Sequence, residues 1–380
     1  MSEKLLFFTK MNFAVKENSG IRKKVFAQAK AFRSHGFEVD VLYFENNIIF
    51  IEGDNAQISF NAKNKLQFLL FLYGGFLKKI DFSSYDYVYI RHFLTNPLFL
   101  RMLEKLKVLQ PKAKVFMEIP TYPYRDTFKN ESIVKRAGLF IDETSSRFFK
   151  KYIDRIVTFA RTPEIFEIPT IQTDNGIDPD VFGFIPSPFY DKSELHLGGV
   201  ANIQTWHGYD RLISGLADYY AHKPTTKVYF YIVGGGGDEV IKLKALVEKS
   251  NLNQYVFFYG FLDGDELVNV LKKMHIGVSN LAFHRIGAAK GETSALKSRE
   301  YASRGIPFVS AYRDRGFPSD YSQILEIKAD DSAVNIGKLI AFYDGLQALP
   351  QFGEKLRNYA VEHLSWKNKL KPVSENFRSN

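Results

Sequence analysis

Residues 290–311 read KGETSALKSREYASRGIPFVSA. They set Glu292 and Glu300 eight positions apart around a segment that opens a helix. The chain then runs through a Gly305-Ile306-Pro307 turn into an apolar strand, Phe308–Ser310. Eight helical residues rise ~12 Å, about the reach from a sugar across a diphosphate to a ribose. One carboxylate is then placed for sugar hydroxyls and the other for ribose hydroxyls, with the helix N-terminus aimed at the phosphates between them. The same spacing fits two exposed glutamates on an ordinary amphipathic helix, so the surrounding sequence has to decide.

That surrounding sequence alternates short apolar runs with helical patterns. Leu5–Phe8, Val39–Tyr43, Tyr87–Ile90, Val115–Glu118 and Ile156–Phe159 read as buried strands, with helices such as Ile21–Ser34 and Asn96–Leu106 between them. The stretch DPDVFGFIPSPFYDK, Asp178–Lys192, contains three prolines and no regular period, and reads as a linker. The alternation restarts with Leu195–Val200, Val228–Val233, Val256–Tyr259, Ile276–Val278 and Phe308–Ser310. Two such sets predict an α/β protein of two Rossmann-like, doubly wound domains facing each other across a cleft. The expected division is residues 1–177, a linker at 178–194, a second domain at 195–355, and a C-terminal helix at 356–380 that packs back toward the first domain.

Composition narrows the classes. A chain of 380 residues with 45% hydrophobic content can bury two cores. It has no cysteine, which excludes disulfides and Cys-based zinc sites and suggests a reducing compartment. The start, MSEKLLFFTKMNF, has too short an apolar run for a signal peptide, and no segment approaches the ~20 apolar residues of a spanning helix. These features point to a cytoplasmic protein. The formal charge of +9 is uneven: residues 1–160 carry 26 Lys+Arg against 16 Asp+Glu, and the remainder is close to neutral. A basic first half suits either a polyanionic partner, such as an acidic membrane surface, or simply a basic exterior. The segment KNKLQFLLFLYGGFLKK, Lys63–Lys79, fits an interfacial helix with lysines on anionic headgroups, and equally a core helix with snorkelling ends.

In the second half, several strand-turn-helix pieces follow in one order: NGID at Asn175–Asp178, GVANIQTWHGYDRLISGL, FYIVGGGGDE, VFFYGFLDGDEL and finally the Glu292/Glu300 segment. All should gather at the carboxyl edge of one parallel sheet. This order resembles the GT-B-fold nucleotide-sugar glycosyltransferases, specifically the retaining glycosyltransferase family four that includes builders of bacterial surface polysaccharide. The resemblance covers nearly the whole chain and is most specific from Asn175 to Val309. It implies that Glu292 contacts the donor sugar and Glu300 the ribose, and that the turn at Gly260-Phe261 holds the nucleotide base. It implies also that Gly20, ahead of the helix IRKKVFAQAKAF, approaches phosphates and acceptor. SYDYVYIRHF and VFMEIPTYPY look like strands whose ends bring His92 and Glu118 toward the acceptor.

The pattern departs from the family where an Arg and a Lys usually grip the diphosphate. Those positions here are Asn202 and His207. A departing diphosphate needs cationic or dipolar stabilisation. His207, if protonated, and Lys297 are the expected sources, with Lys290 and Arg285 in reserve. The Gly234–Gly237 run fits a phosphate cradle or a tight strand-to-helix turn. Asp263-Gly264-Asp265 matches a metal-binding D-x-D only formally, because it precedes ELVNVLKKM and reads as a helix cap. No metal or other cofactor is expected.

The expected function is transfer of a sugar, UDP-linked by preference, to a saccharide acceptor, lipid-linked and peripheral to the inner face of the cell membrane, with retention of configuration. A catalytically silent GT-B subunit of another transferase is the alternative. A nucleic-acid-binding protein fits less well, since the aromatics fall in apolar strand and helix patterns rather than an exposed stacking series.

Overall fold

The structure is a computed structural model that describes residues 2–15, 18–125, 132–286 and 292–379, with the side chains of all but Val134 and Glu292. The chain divides into two compact units, one of Met1–Asp174 with Trp366–Asn380, the other of Asn175–Ser365.

The first unit is built from strands β1 (Glu3–Asn12), β2 (Phe37–Glu45), β3 (Ile48–Gly53), β4 (Gln57–Asn61), β5 (Tyr87–Arg91), β6 (Lys114–Ile119), β7 (Arg155–Thr158), β8 (Glu164–Ile165) and β9 (Ile168–Gln172). Helices α1 (Ser19–Ser34), α2 (Lys65–Leu72), α3 (Pro97–Leu109) and α4 (Ile133–Ser146) lie between them. The strand order is β4-β3-β2-β1-β5-β6-β7-β9-β8. Successive side chains of a strand point to opposite faces, and both faces are covered. Leu6, Phe8, Val88, Ile90 and Met117 join one core, with Phe71 and Leu72 of α2 and Leu103 of α3. Leu5, Phe7, Val39, Val41, Tyr89 and Phe116 join the other, with Val25 and Phe32 of α1.

The second unit contains β10 (Glu194–Val200), β11 (Lys227–Val233), β12 (Val256–Gly260), β13 (Ile276–Val278), β14 (Glu292–Thr293), β15 (Phe308–Ser310), β16 (Arg313–Asp314) and β17 (Ile324–Glu326). Its helices are α5 (Tyr209–Ala221), α6 (Gly237–Lys249), α7 (Gly264–Leu271), α8 (Leu296–Arg304), α9 (Ile336–Gln347) and α10 (Phe352–Leu364). The main sheet, β12-β11-β10-β13-β15-β17, is parallel throughout, and β14 pairs with β16 beside it. Helix α11 (Trp366–Arg378) returns to the first unit, where Leu370, Val373 and Phe377 enter the core beneath α1.

The apolar runs read as strands are all strands, namely β1, β2, β5, β6, β7, β10, β11, β12, β13 and β15, whereas the short strands β8, β9, β14, β16 and β17 were not read from sequence. The hairpin of β3 and β4 was not read from sequence, because its edge strand alternates exposed and half-buried residues rather than forming an apolar run. Two boundaries also differ from the expected division. The proline-rich segment read as a linker lies along the second unit: Ile185 is buried, its N–H donates to the carbonyl of Arg304, and Arg357 donates to the carbonyl of Phe182. Helix α10 belongs to the second unit and packs on α8, so only α11 is associated with the first. Of Lys63–Lys79, Phe71, Leu72, Tyr73, Phe76 and Leu77 are core residues, whereas Leu66 and Leu70 are exposed.

Candidate active site

In the second sheet, β10 has β11 on one side and β13 on the other, so connections leave its carboxyl edge in opposite directions. Such a switch point is where open α/β sheets bind ligands. The loop after β10 carries Asn202, exposed, and then a tight turn ending at Gly208. Gly208 has φ +64°, and a Cβ there would lie 2.8 Å from the backbone N of Ala282. This close approach allows Leu281 N–H to donate to His207 O (3.0 Å) and Ala282 N–H to Trp206 O (3.1 Å), joining the loops after β10 and β13. The glycine run serves a comparable purpose: a Cβ on Gly234 would fall 1.7 Å from Ala201 O and one on Gly236 2.2 Å from Ile203 O. Of the two readings of that run, the tight turn is the one with a geometric cause.

His207 is buried, and its Nδ1 accepts from Gln204 N–H at 2.8 Å. The ring proton therefore sits on Nε2 in the neutral form. Burial, reinforced by Lys297, lowers its pKa to about 3. A protonated His207 on the diphosphate is thus corrected: the ring is a neutral donor. Arg285 is also removed from the reserves. It donates to both carboxylate oxygens of Asp210 (2.9 and 2.8 Å) and to Asp331 (2.8 Å), and these partners raise its pKa. Lys290 lies outside the described residues.

Lys297 is different. Its ammonium is buried, has no hydrogen-bond partner, and stands 5.9 Å from the Tyr209 ring centroid. Burial lowers its pKa to about 7, with Glu300 pulling the other way. The hydroxyl of Tyr209 and the Oδ1 of Asn280, just past β13, are likewise buried without a partner. Buried polar groups normally find partners; of these, the Lys297 ammonium and the Tyr209 hydroxyl are donors that an anion would satisfy, whereas Asn280 Oδ1 is an acceptor and would need a donor. The N-cap of α8 is Ala295, which supplies no side-chain acceptor to the first-turn N–H groups.

Helix α8 also carries Glu300, half-buried, which interacts electrostatically with both Lys297 and Arg304. The backbone of Glu292 is in β14, paired with Arg313 of β16; its side chain lies outside the described residues. Sequence reasoning missed what holds this segment. Arg299 is fully buried, ion-paired to Asp314 of β16 at 2.7 Å, and donates to Asn175 O at 3.1 Å. Asn175 Nδ2 donates to Ser294 O at 2.8 Å. An arginine inside the E-x7-E interval was the available signal. At the end of β12, Gly260 has φ +69° with open space around it, and Phe261 is 70% exposed, a free aromatic face beside a turn. Asp263 occupies the N-cap position of α7 without a side-chain hydrogen bond to the first turn.

In the first unit, β1 and β5 form the corresponding switch point. Gly20 opens α1, exposed, where a Cβ would meet nothing within 4 Å. His92 follows β5; its Nε2 lies 3.6 Å from Asp142 Oδ1 and its ring 4.9 Å from that of Tyr124. Asp142 also accepts from Thr95 N (2.7 Å), Thr95 Oγ1 (2.6 Å) and Tyr124 OH (2.6 Å).

Glu118, expected at the acceptor, is instead fully buried. Its Oε1 meets Lys24 Nζ (2.9 Å) and Arg91 Nη1 (2.6 Å), and its Oε2 accepts from Gln28 and from Tyr89 OH (2.8 Å). Burial pushes its pKa up, but Lys24 and Arg91 outweigh this and hold it at about 2. With both oxygens engaged, Glu118 acts as a positioning residue that fixes Arg91, the neighbour of His92. Lys24, also missed in the sequence, lies 4.5 Å from the Phe159 ring and 5.1 Å from that of Trp366.

No family model matches the chain. In sequence it is 24% identical over 323 residues, 79% of this chain and 76% of the other, to a curated protein of Methanocaldococcus jannaschii described as an uncharacterized glycosyltransferase. Three solved structures match along essentially their whole length. HepE of Anabaena, in complex with UDP, gives a TM-score of 0.63 at 12% identity, covering 99% of this chain and 100% of that one. Sucrose-phosphate synthase of Thermosynechococcus elongatus gives 0.60 at 14%, covering 99% and 98%. WaaG, a glycosyltransferase involved in lipopolysaccharide biosynthesis, gives 0.59 at 14%, covering 99% and 100%. The fold is therefore GT-B, and the sequence relative is a glycosyltransferase.

Proposed function

We propose that this protein, a GT-B-fold relative of glycosyltransferases, transfers a sugar from a nucleotide-sugar donor held by its second unit to a saccharide acceptor. The observation that carries the reading is the buried, unpartnered ammonium of Lys297 on the helix that also bears Glu300, at the switch point of the sheet. A UDP-sugar is favoured as donor, supported by HepE having been solved with UDP and with UDP-glucose.

In this reading the bond between the donor's anomeric carbon and the diphosphate oxygen breaks. A bond from that carbon to an acceptor hydroxyl oxygen forms, and the hydroxyl proton passes to the departing diphosphate oxygen. The configuration is retained and no metal is required. Lys297 Nζ, His207 Nε2–H and the uncapped N–H groups of α8 stabilise the departing diphosphate. Glu300 orients the ribose, Glu292 the donor sugar, and Phe261 stacks on the base beside Gly260. Asn202 lies on the loop after β10, which also carries His207. Gly20 and His92 belong to the acceptor side, which takes a lipid-linked saccharide of a bacterial surface glycan at the inner face of the membrane.

The test is a thermal-shift panel of UDP, GDP, dTDP and ADP with their sugar conjugates, repeated with Glu300→Ala. A shift with one nucleotide series, lost in the variant, supports the donor site. The neutral state of His207 and the engagement of Arg285 by carboxylates favour one rival, a catalytically silent subunit of another transferase. Absence of any shift across the panel favours that rival and overturns the proposal.

A further inference from the structure

The last residues of β1 include a lysine that nothing described in the first unit neutralises. Lys10 is half-buried, and its ammonium stands 5.1 Å from the Phe93 ring centroid and 5.5 Å from that of Tyr73. Phe93 follows β5, and Tyr73 caps the C-terminus of α2. Among the described residues Lys10 has neither a hydrogen bond nor an ion pair, and burial alone acts on its pKa, lowering it. Other lysines drawn into this unit are matched. Lys24 meets Glu118 at 2.9 Å, Lys107 meets Asp154 at 3.0 Å, and Lys114 donates to Phe377 O at 3.0 Å.

The surrounding strand ends hold further unmatched polar groups. Leu6 and Phe8 of β1 and Val88 and Ile90 of β5 face one core. Alternation therefore puts Lys10 and His92 on that same side, at the ends of adjacent strands. The His92 side chain is 10% exposed, yet its Nε2 has no hydrogen-bond partner. On the opposite side, Thr9 Oγ1 is buried without a partner, and Arg91, its register neighbour, donates to Glu118 through Nη1.

Ring contacts alone do not require an ammonium, because a methionine packs on aromatic rings with no charge to desolvate. What the ammonium adds is a place for an anion, held still by two rings so that less ordering is needed on binding. Phe93, Tyr122 and Tyr124 are half-buried after β5 and β6, and aromatic walls with a few hydrogen-bonding groups suit a sugar ring.

We infer that the saccharide taken by the first unit is acidic, its carboxylate or phosphate seated on Lys10 beside the end of β5. The inference deepens the transferase reading and rests on it only for calling that saccharide the acceptor. Charge then sets specificity: a neutral sugar leaves a partly desolvated ammonium unpaired.

The test is binding of methyl glucoside, methyl glucuronide and methyl glucoside 6-phosphate to the full chain, read by ligand-observed NMR. Wild type should bind one of the two acids about tenfold or more tightly than the neutral sugar, and which one names the anion. Lys10→Met should lose that preference while binding methyl glucoside as wild type does, and Lys10→Arg should keep it. Lys112→Gln, which removes an exposed lysine of the same unit, should bind as wild type and so separates a local contact from overall charge. Equal binding of the three sugars, no binding of any, or a preference that survives Lys10→Met overturns the inference. An equal loss in Lys112→Gln does so too. The donor's own phosphates are the other source of an anion, so the UDP thermal shift is measured on each variant. A UDP shift lost in Lys10→Met, with no acid preference in wild type, assigns Lys10 to the donor and overturns the inference. A UDP shift retained without acid preference refutes the inference alone, and an acid preference without a UDP shift refutes the donor reading alone.

Discussion

Replacing Lys297 by methionine should stabilise the ligand-free protein while abolishing its response to nucleotide. Burial has moved this ammonium from an ordinary pKa of 10.5 to about 7. In the unfolded chain the group keeps its charge at pH 7, whereas in the folded protein it is about half protonated. At ~1.4 kcal/mol per pH unit, holding it inside costs up to ~4 kcal/mol, less whatever relaxation of the site recovers. Methionine has a similar length, fills the same volume over Tyr209 and has no charge to desolvate. A gain of about 2 kcal/mol is expected, which in a domain of this size raises Tm by about 4–8 °C. The sign follows from linkage. A lysine whose folded pKa is depressed makes the unfolded state bind more protons between pH 7 and 10.5, so wild-type stability rises through that window. The methionine variant should show a flatter curve there. Differential scanning calorimetry from pH 6 to 10, with and without UDP, reads both effects. A variant that is less stable than wild type at pH 7, or that still shows the wild-type nucleotide shift, would refute the argument that an unsatisfied cation is kept for a ligand.

Three further outcomes follow from the same geometry. If a diphosphate engages Lys297, binding raises its pKa above the free value of about 7; affinity measured by titration calorimetry should then be level below pH 7 and fall by up to about tenfold per pH unit above it. Glu118→Gln leaves Lys24 and Arg91 without their carboxylate and should destabilise the first unit by about 3–5 kcal/mol in urea unfolding. Because Glu118 is held at about 2, its stabilisation is complete above about pH 4.5 and is lost as the pH falls toward 2, so the wild-type and variant curves should converge in acid. Arg299→Leu strands Asp314 and should weaken nucleotide binding through displacement of β14 and α8, at a stability cost of about 3–5 kcal/mol; unchanged nucleotide affinity would show that the pair does not position the site.

Local pattern was enough for the framework. Alternating apolar runs and helical periods are properties of a few consecutive residues, and the central parallel strands β1, β2, β5, β6 and β7 of one sheet and β10, β11, β12, β13 and β15 of the other could be read from them, as could Gly260-Phe261 at the end of β12. The spacing of Glu292 and Glu300 likewise placed a helix start, α8, between strands β13 and β15. What escaped depends on partners far away in sequence. Glu118 at the end of an apolar strand looked available, but Lys24, Gln28, Tyr89 and Arg91 converge on it through folding. His207 looked chargeable until Gln204 and its burial assigned it the neutral form. Arg285 looked free until Asp210 and Asp331 met it from other elements. Composition and period along the chain therefore determined which residues lie at the sheet edges. Only the tertiary structure decided which of them carry charge and which are already engaged, because desolvation and ion pairing act through space and have no signature in spacing.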